Sequence, residues 1–241
     1  MVSKKELQIF LFSWIQTFKR SFLVFIKYFW WLIALELILT SYTTIMPKIQ
    51  IITIATSVIS YYLYLLSIRA SVETKTLRYF LVNLKNITVF IPLTIALALA
   101  LALLAFPIMM LFPMYQVAAT IIFFSLFMLL VYPVVLIAVF FFLDSAPKTT
   151  WLRRVLKASS NSFKGTTANF PIVLLISSLI IASTQLSTLL LTTLLSTFPR
   201  TLTIAITIDM ILINFSSICA FSILYLKMKH ENPQLFHKKN S

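Results

Sequence analysis

Of the six acidic residues in the chain, Glu36 and Asp209 stand inside long apolar runs. A carboxylate at such a place costs about 2.5–3.5 kcal/mol on insertion scales, so it is kept only if protonated, paired or wetted. Two protonatable acids facing one polar cavity would supply the chemistry of proton-coupled transport. On the first run Glu36, Thr40 and Thr43 follow at spacings of four and three; on the last, Asp209 and Ser216 share a helical face, with Asn214 adjacent. A structural reading competes with transport. A neutral buried acid donates a hydrogen bond and specifies which helices meet.

A second pattern is basic. Arg20 and Lys27, Arg78 and Lys85, and Lys157 and Lys164 are each seven residues apart, just ahead of an apolar run. Two helical turns put each pair on one face, where ammonium and guanidinium groups meet anionic lipid headgroups. Catalytic patterns are missing. A single glycine, Gly165, removes every glycine-dependent phosphate or hydrolase motif. The one cysteine, Cys219, lies in an apolar run, and His230 and His237 both fall in the polar tail, away from any base or metal spacing. The expectation is a protein that is not an enzyme and takes no metal or cofactor.

The elements that must position these residues follow from composition. The 241 residues are 60% hydrophobic and 11% charged, with a net charge of +14, and the mean hydropathy is +0.98. Soluble domains are about a quarter charged. The pI of 10.0 does not indicate nucleic acid, because so apolar a chain has no wetted basic face. Apolar runs long enough to cross a bilayer cover residues 28–46, 49–68, 89–111, 117–143, 170–195 and 202–226. The first two are separated only by Pro47 and Lys48, the next two by a short link through Pro113. Short links make consecutive spans antiparallel neighbours. The expected fold is all-α, one integral membrane domain of six transmembrane helices in three hairpins. Amphipathic interfacial helices should flank them on the cytoplasmic side.

Of the 20 basic residues, 18 fall in the N-terminal arm (1–27), the second-to-third and fourth-to-fifth connections, and the tail (227–241). The positive-inside rule then puts both termini in the cytoplasm. In the arm, Ser3 to Glu6 has the form of a capping box, and Leu7, Phe10, Leu11, Trp14, Ile15 and Phe18 make one helical face. This predicts a helix lying on the leaflet rather than a cleaved signal. A similar helix is expected over Trp151–Lys164, with Trp151, Val155 and Phe163 on one face and Gly165 as its C-terminal cap. A shorter one is expected over Glu73–Lys85. Hydroxyl-rich runs in the second and fifth spans are read as helix-packing surfaces.

The segment Leu156-Lys157-Ala158-Ser159-Ser160-Asn161-Ser162-Phe163-Lys164-Gly165-Thr166-Thr167-Ala168-Asn169-Phe170 resembles the corresponding stretch of the YciC-type bacterial inner-membrane proteins. It is also similar to the membrane domain attached to some glycerophosphodiester phosphodiesterases. Trp14-Ile15-Gln16-Thr17-Phe18-Lys19-Arg20-Ser21-Phe22 resembles their first segment. The chain departs from them in its very short first loop and in lacking glycines near the third and fourth spans. The resemblance implies a six-span protein of the bacterial inner membrane with no catalytic residues to carry over. Any phosphodiesterase activity would need a separate soluble domain. Two functions remain: organising anionic lipid or a partner at the cytoplasmic leaflet, or a small proton-coupled transporter using Glu36 and Asp209.

Overall fold

A computed structural model describes residues 4–43, 50–72, 125–144 and 150–231, with three isolated positions, Leu103, Pro107 and Met110. The rest of the expected third span, the Glu73–Lys85 helix with Arg78 and Lys85, and residues 117–124 of the expected fourth span lie outside the described residues. Nearly everything described is helical, and no strand occurs among the described residues. The helices are α1 (Lys4–Thr43), α2 (Gln50–Val72), α3 (Tyr132–Asp144, preceded by a π-helical turn over Phe127–Val131), α4 (Trp151–Ala168), α5 (Phe170–Leu195) and α6 (Pro199–Glu231). Five stretches among the described residues are long and apolar enough to cross a membrane.

At 1.5 Å per residue the 40 residues of α1 would extend about 60 Å, twice the hydrocarbon thickness. The helix breaks at Phe29, whose backbone leaves helical geometry at φ −132°, ψ 17°. That break falls two residues after Lys27, close to the boundary expected from the charges, but the apolar stretch runs through it from Leu7 to Tyr42. The arm does not rest on lipid alone. Phe10, Trp14 and Phe18 of the expected stripe pack on the core with Phe22, while Ile15 is 67% exposed and belongs to the outer face. Phe18, Phe22 and Phe25 surround the Phe215 ring of α6 at centroid distances of 5.5–5.9 Å. The Trp14 indole N–H donates to the Ser216 carbonyl at 2.9 Å.

Helix α6 is the central post. Residues 217–222 are buried on every side, as expected of a helix apolar all round, and α1, α2, α3 and α5 all pack on it. The second half of α2, residues 62–70, is buried in the same way. The π turn before α3 has a local cause. Pro133 has no N–H to give the preceding turn, and its ring crowds the carbonyl four residues back; the Tyr132 N–H bonds instead to the Phe127 carbonyl five residues back.

Gly165 is not a helix cap. It lies inside α4, which continues to Ala168. Its role is close approach: a Cβ there would overlap the Met228 methyl of α6. The cap is Asn169, whose side-chain Nδ2 donates to the Gly165 carbonyl at 3.1 Å. Its own carbonyl accepts from Ile172 and Val173 in the first turn of α5, so a single residue joins the two helices. The inward face of α4 also differs from the expected one. Ala158, Ser162, Gly165 and Thr166 are buried, Val155 is half-buried, and Phe163 is 61% exposed. Helix α5 covers the expected 170–195, and the turn at Ser196–Phe198 leads into α6 with Pro199 as its first residue, where a missing N–H costs nothing.

Candidate functional site

Glu36 is buried between α1 and α2, 5% exposed. Its carboxylate accepts from the Tyr64 hydroxyl at 3.2 Å, with Ser57 and Ser60 on the same face of α2. These three are spaced three and four residues apart, so one stripe of α2 addresses the acid. Thr40, expected to extend a polar stripe, donates instead to the Glu36 main-chain carbonyl at 2.7 Å. Asp209 belongs to the other pair of helices. Its Oδ2 accepts from the Ser187 hydroxyl of α5 at 2.6 Å, and the residue is half-buried. The structure therefore places the two acids at separate helix contacts, each answered by a hydroxyl of the neighbouring helix, and no hydrogen bond joins them among the described residues. Asn214 is half-buried, and its main-chain carbonyl accepts from Ser217 at 2.8 Å.

The most heavily connected acid is Asp144, which the sequence places at a span boundary. It ends α3, where the helix dipole already presents negative charge, so a carboxylate there needs cations. Arg69 of α2 forms an ion pair with its Oδ1. Tyr225 and Lys229 of α6 donate to its Oδ2 at 2.6 and 2.8 Å. One carboxylate thus ties three helices together. Arg154 of α4 closes the same end of α3, donating to the Phe142 carbonyl at 3.2 Å with its guanidinium 4.3 Å from the Phe142 ring centre. The available signal was charge placement: Arg69, Asp144 and Lys229 each stand at the end of an apolar run, and opposite charges at one level pair.

A second link runs through hydroxyls. Tyr61 and Tyr132 meet at 2.8 Å, and Tyr132 meets Ser217 at 2.9 Å. Ser217 also reaches the Asn214 main-chain carbonyl at 2.8 Å, so the hydroxyl chain joins α2, α3 and α6 and ends on a backbone acceptor. The hydroxyls of α5 behave otherwise: Thr184, Thr192 and Thr193 donate to carbonyls three or four residues back in their own helix. Expected to bond across helix contacts, they are mostly absorbed locally, and Ser187 is the exception.

Of the headgroup candidates, Arg20, Lys27, Lys157 and Lys164 are exposed. On α4 the exposed side has two sectors. At about 100° per residue, Leu152, Leu156 and Phe163 cluster on one stripe, and Arg153, Lys157 and Lys164 on a second about 100° away. The three apolar side chains are 60–63% exposed. No group of three or more metal-binding side chains occurs among the described residues. Compared with known proteins, the chain matches no family model, no curated protein and no solved structure.

Proposed function

We propose that the chain is a non-enzymatic, six-span protein of the bacterial inner membrane, similar in plan to the YciC-type proteins, that gathers anionic lipid at the cytoplasmic leaflet. Both termini face the cytoplasm in this reading, on the side where the basic residues collect. The observation that carries it is α4, whose three sectors divide their work. Small residues face the bundle, large apolar ones face away from it, and a basic stripe stands beside the apolar one. A helix at the boundary between acyl chains and headgroups has this form. Each cation near an anionic surface contributes about 1 kcal/mol, so the triple variant Arg153→Glu, Lys157→Glu and Lys164→Glu should retain several-fold less phosphatidylglycerol. Lipid mass spectrometry of the protein purified in mild detergent measures this, and an unchanged lipid content would sink the proposal.

The transport alternative rests on the two intramembrane acids. It predicts that Glu36→Gln and Asp209→Asn abolish proton-driven uptake in liposomes.

A further inference from the structure

Between the arm, the first turns of α5 and the last turns of α6 runs an apolar groove of about 260 Å³. Phe10, Ser13, Ile172, Leu175, Ile223 and Lys227 line it. The only polar side chains among these are Ser13 and Lys227. A volume below the roughly 300–1,000 Å³ of small-molecule pockets suits a slender occupant, and the surroundings of a membrane helix supply one in hydrocarbon chains. The charges beside Lys227 decide which lipid. Its ammonium lies 3.7 Å from the Glu231 carboxylate one turn on, and both side chains reach solvent, 33% and 49% exposed. Lys229, two residues away, is committed to Asp144. A cation and an anion side by side are the complement of a headgroup carrying a phosphate and an amine.

We propose that this groove holds one acyl chain of phosphatidylethanolamine, with the phosphate on Lys227 and the ammonium on Glu231. The site differs from the α4 face in place and in headgroup. Glu231 would repel the net charge of phosphatidylglycerol, and a choline headgroup has no N–H to donate to a carboxylate. The proposal shares with the preceding one only that the protein sits in a bilayer.

The test is native mass spectrometry of the full chain titrated with phosphatidylethanolamine, phosphatidylcholine or phosphatidylglycerol in mixed micelles. The wild type should hold one phosphatidylethanolamine in preference to the other two. Glu231→Gln, at an exposed helix end, should lower that preference about fivefold, and Ser13→Phe should abolish it by filling the groove. A phosphatidylethanolamine with a photoreactive acyl chain should crosslink to Ile172, Leu175 or Ile223. Equal retention of the three lipids by the wild type, preference unchanged in Glu231→Gln, or crosslinks elsewhere would overturn the proposal. The α4 charge variants leave this preference intact, so loss of phosphatidylglycerol there and loss of phosphatidylethanolamine here report on separate claims.

Discussion

Asp144 shows how one side chain can carry the energetics of a helix contact. Its neighbour Arg69 has a side chain only 7% exposed, and its own is 18% exposed, so neither is well solvated if the other is removed. Arg69→Met should cost about 1–3 kcal/mol, because Tyr225 and Lys229 still answer Asp144, whereas Asp144→Leu, which removes the carboxylate beside the buried Arg69, should cost about 3–5 kcal/mol, and the double variant should recover much of that loss. Thermal unfolding in a fixed detergent compares them, and equal losses in the single and double variants would refute the buried-pair account. Gly165 gives a second case. Gly165→Ala sets about 1 kcal/mol of helix propensity gained against the need for the Met228 methyl, the end of a flexible side chain, to swing aside, so its net effect should stay within about 1 kcal/mol of zero and become more favourable in a Met228→Ala background, where the obstructing methyl is gone. Purely additive changes would mean that the two residues do not touch. These side chains were only half legible in the sequence. The cost of burying an acid marked Glu36 and Asp209 correctly as buried or half-buried, yet their partners, Tyr64 and Ser187, belong to residue types too common in apolar runs to stand out. Gly165 was visible as singular, but a glycine needed for a helix end and one needed for close approach leave the same mark in a sequence.

Among elements, α5 followed its hydropathy most faithfully, while α1 runs as one apolar helix through the expected arm and first span. The break at Phe29 sits where Lys27 ends the charged arm, and Phe170–Leu195 coincides with an apolar run bounded by Asn169 and Ser196. What periodicity did not fix was which face turns inward when both are apolar. Ile15 shares the stripe of Phe10, Trp14 and Phe18 but is exposed, because lipid accepts apolar side chains as readily as a neighbouring helix does. In α4 this logic reverses the soluble rule: small residues go in, since they permit close approach, and Leu152, Leu156 and Phe163 go out. The arm is held through Phe215, which meets three of its rings. Since lipid replaces water here, the transfer contribution falls away and lost packing remains, about 2 kcal/mol for a cavity of phenyl size. Phe215→Ala should therefore loosen the arm without dispersing the bundle. Trypsin cleavage after Lys19 and Arg20 in proteoliposomes should accelerate relative to cleavage in the tail, and equal acceleration at both would indicate general unfolding instead.

For the whole molecule, topology is the claim most open to direct measurement. Cys219 is fully buried, so the native chain is already a silent background for thiol labelling. With both termini inside, Lys48→Cys should react with an impermeant maleimide on intact spheroplasts and Lys238→Cys only after lysis; the opposite pattern would invert the orientation. Composition made the membrane class plain, because no soluble packing uses so few charges. The cross-links between spans were hidden, since they join residues as distant as Tyr61 and Ser217 through Tyr132. That connectivity bears on biosynthesis. The helix on which α1, α2, α3 and α5 all lean follows the four of them in the chain. Until α6 enters the bilayer, Asp144 lacks Tyr225 and Lys229, Tyr132 lacks Ser217, and the arm has no ring to close around. A nascent or truncated chain ending before Pro199 therefore presents unanswered polar groups to lipid, the kind of surface that membrane proteases and insertion chaperones recognise. The four helices cannot close on one another until α6 has followed them into the bilayer, which makes its insertion the checkpoint for their assembly.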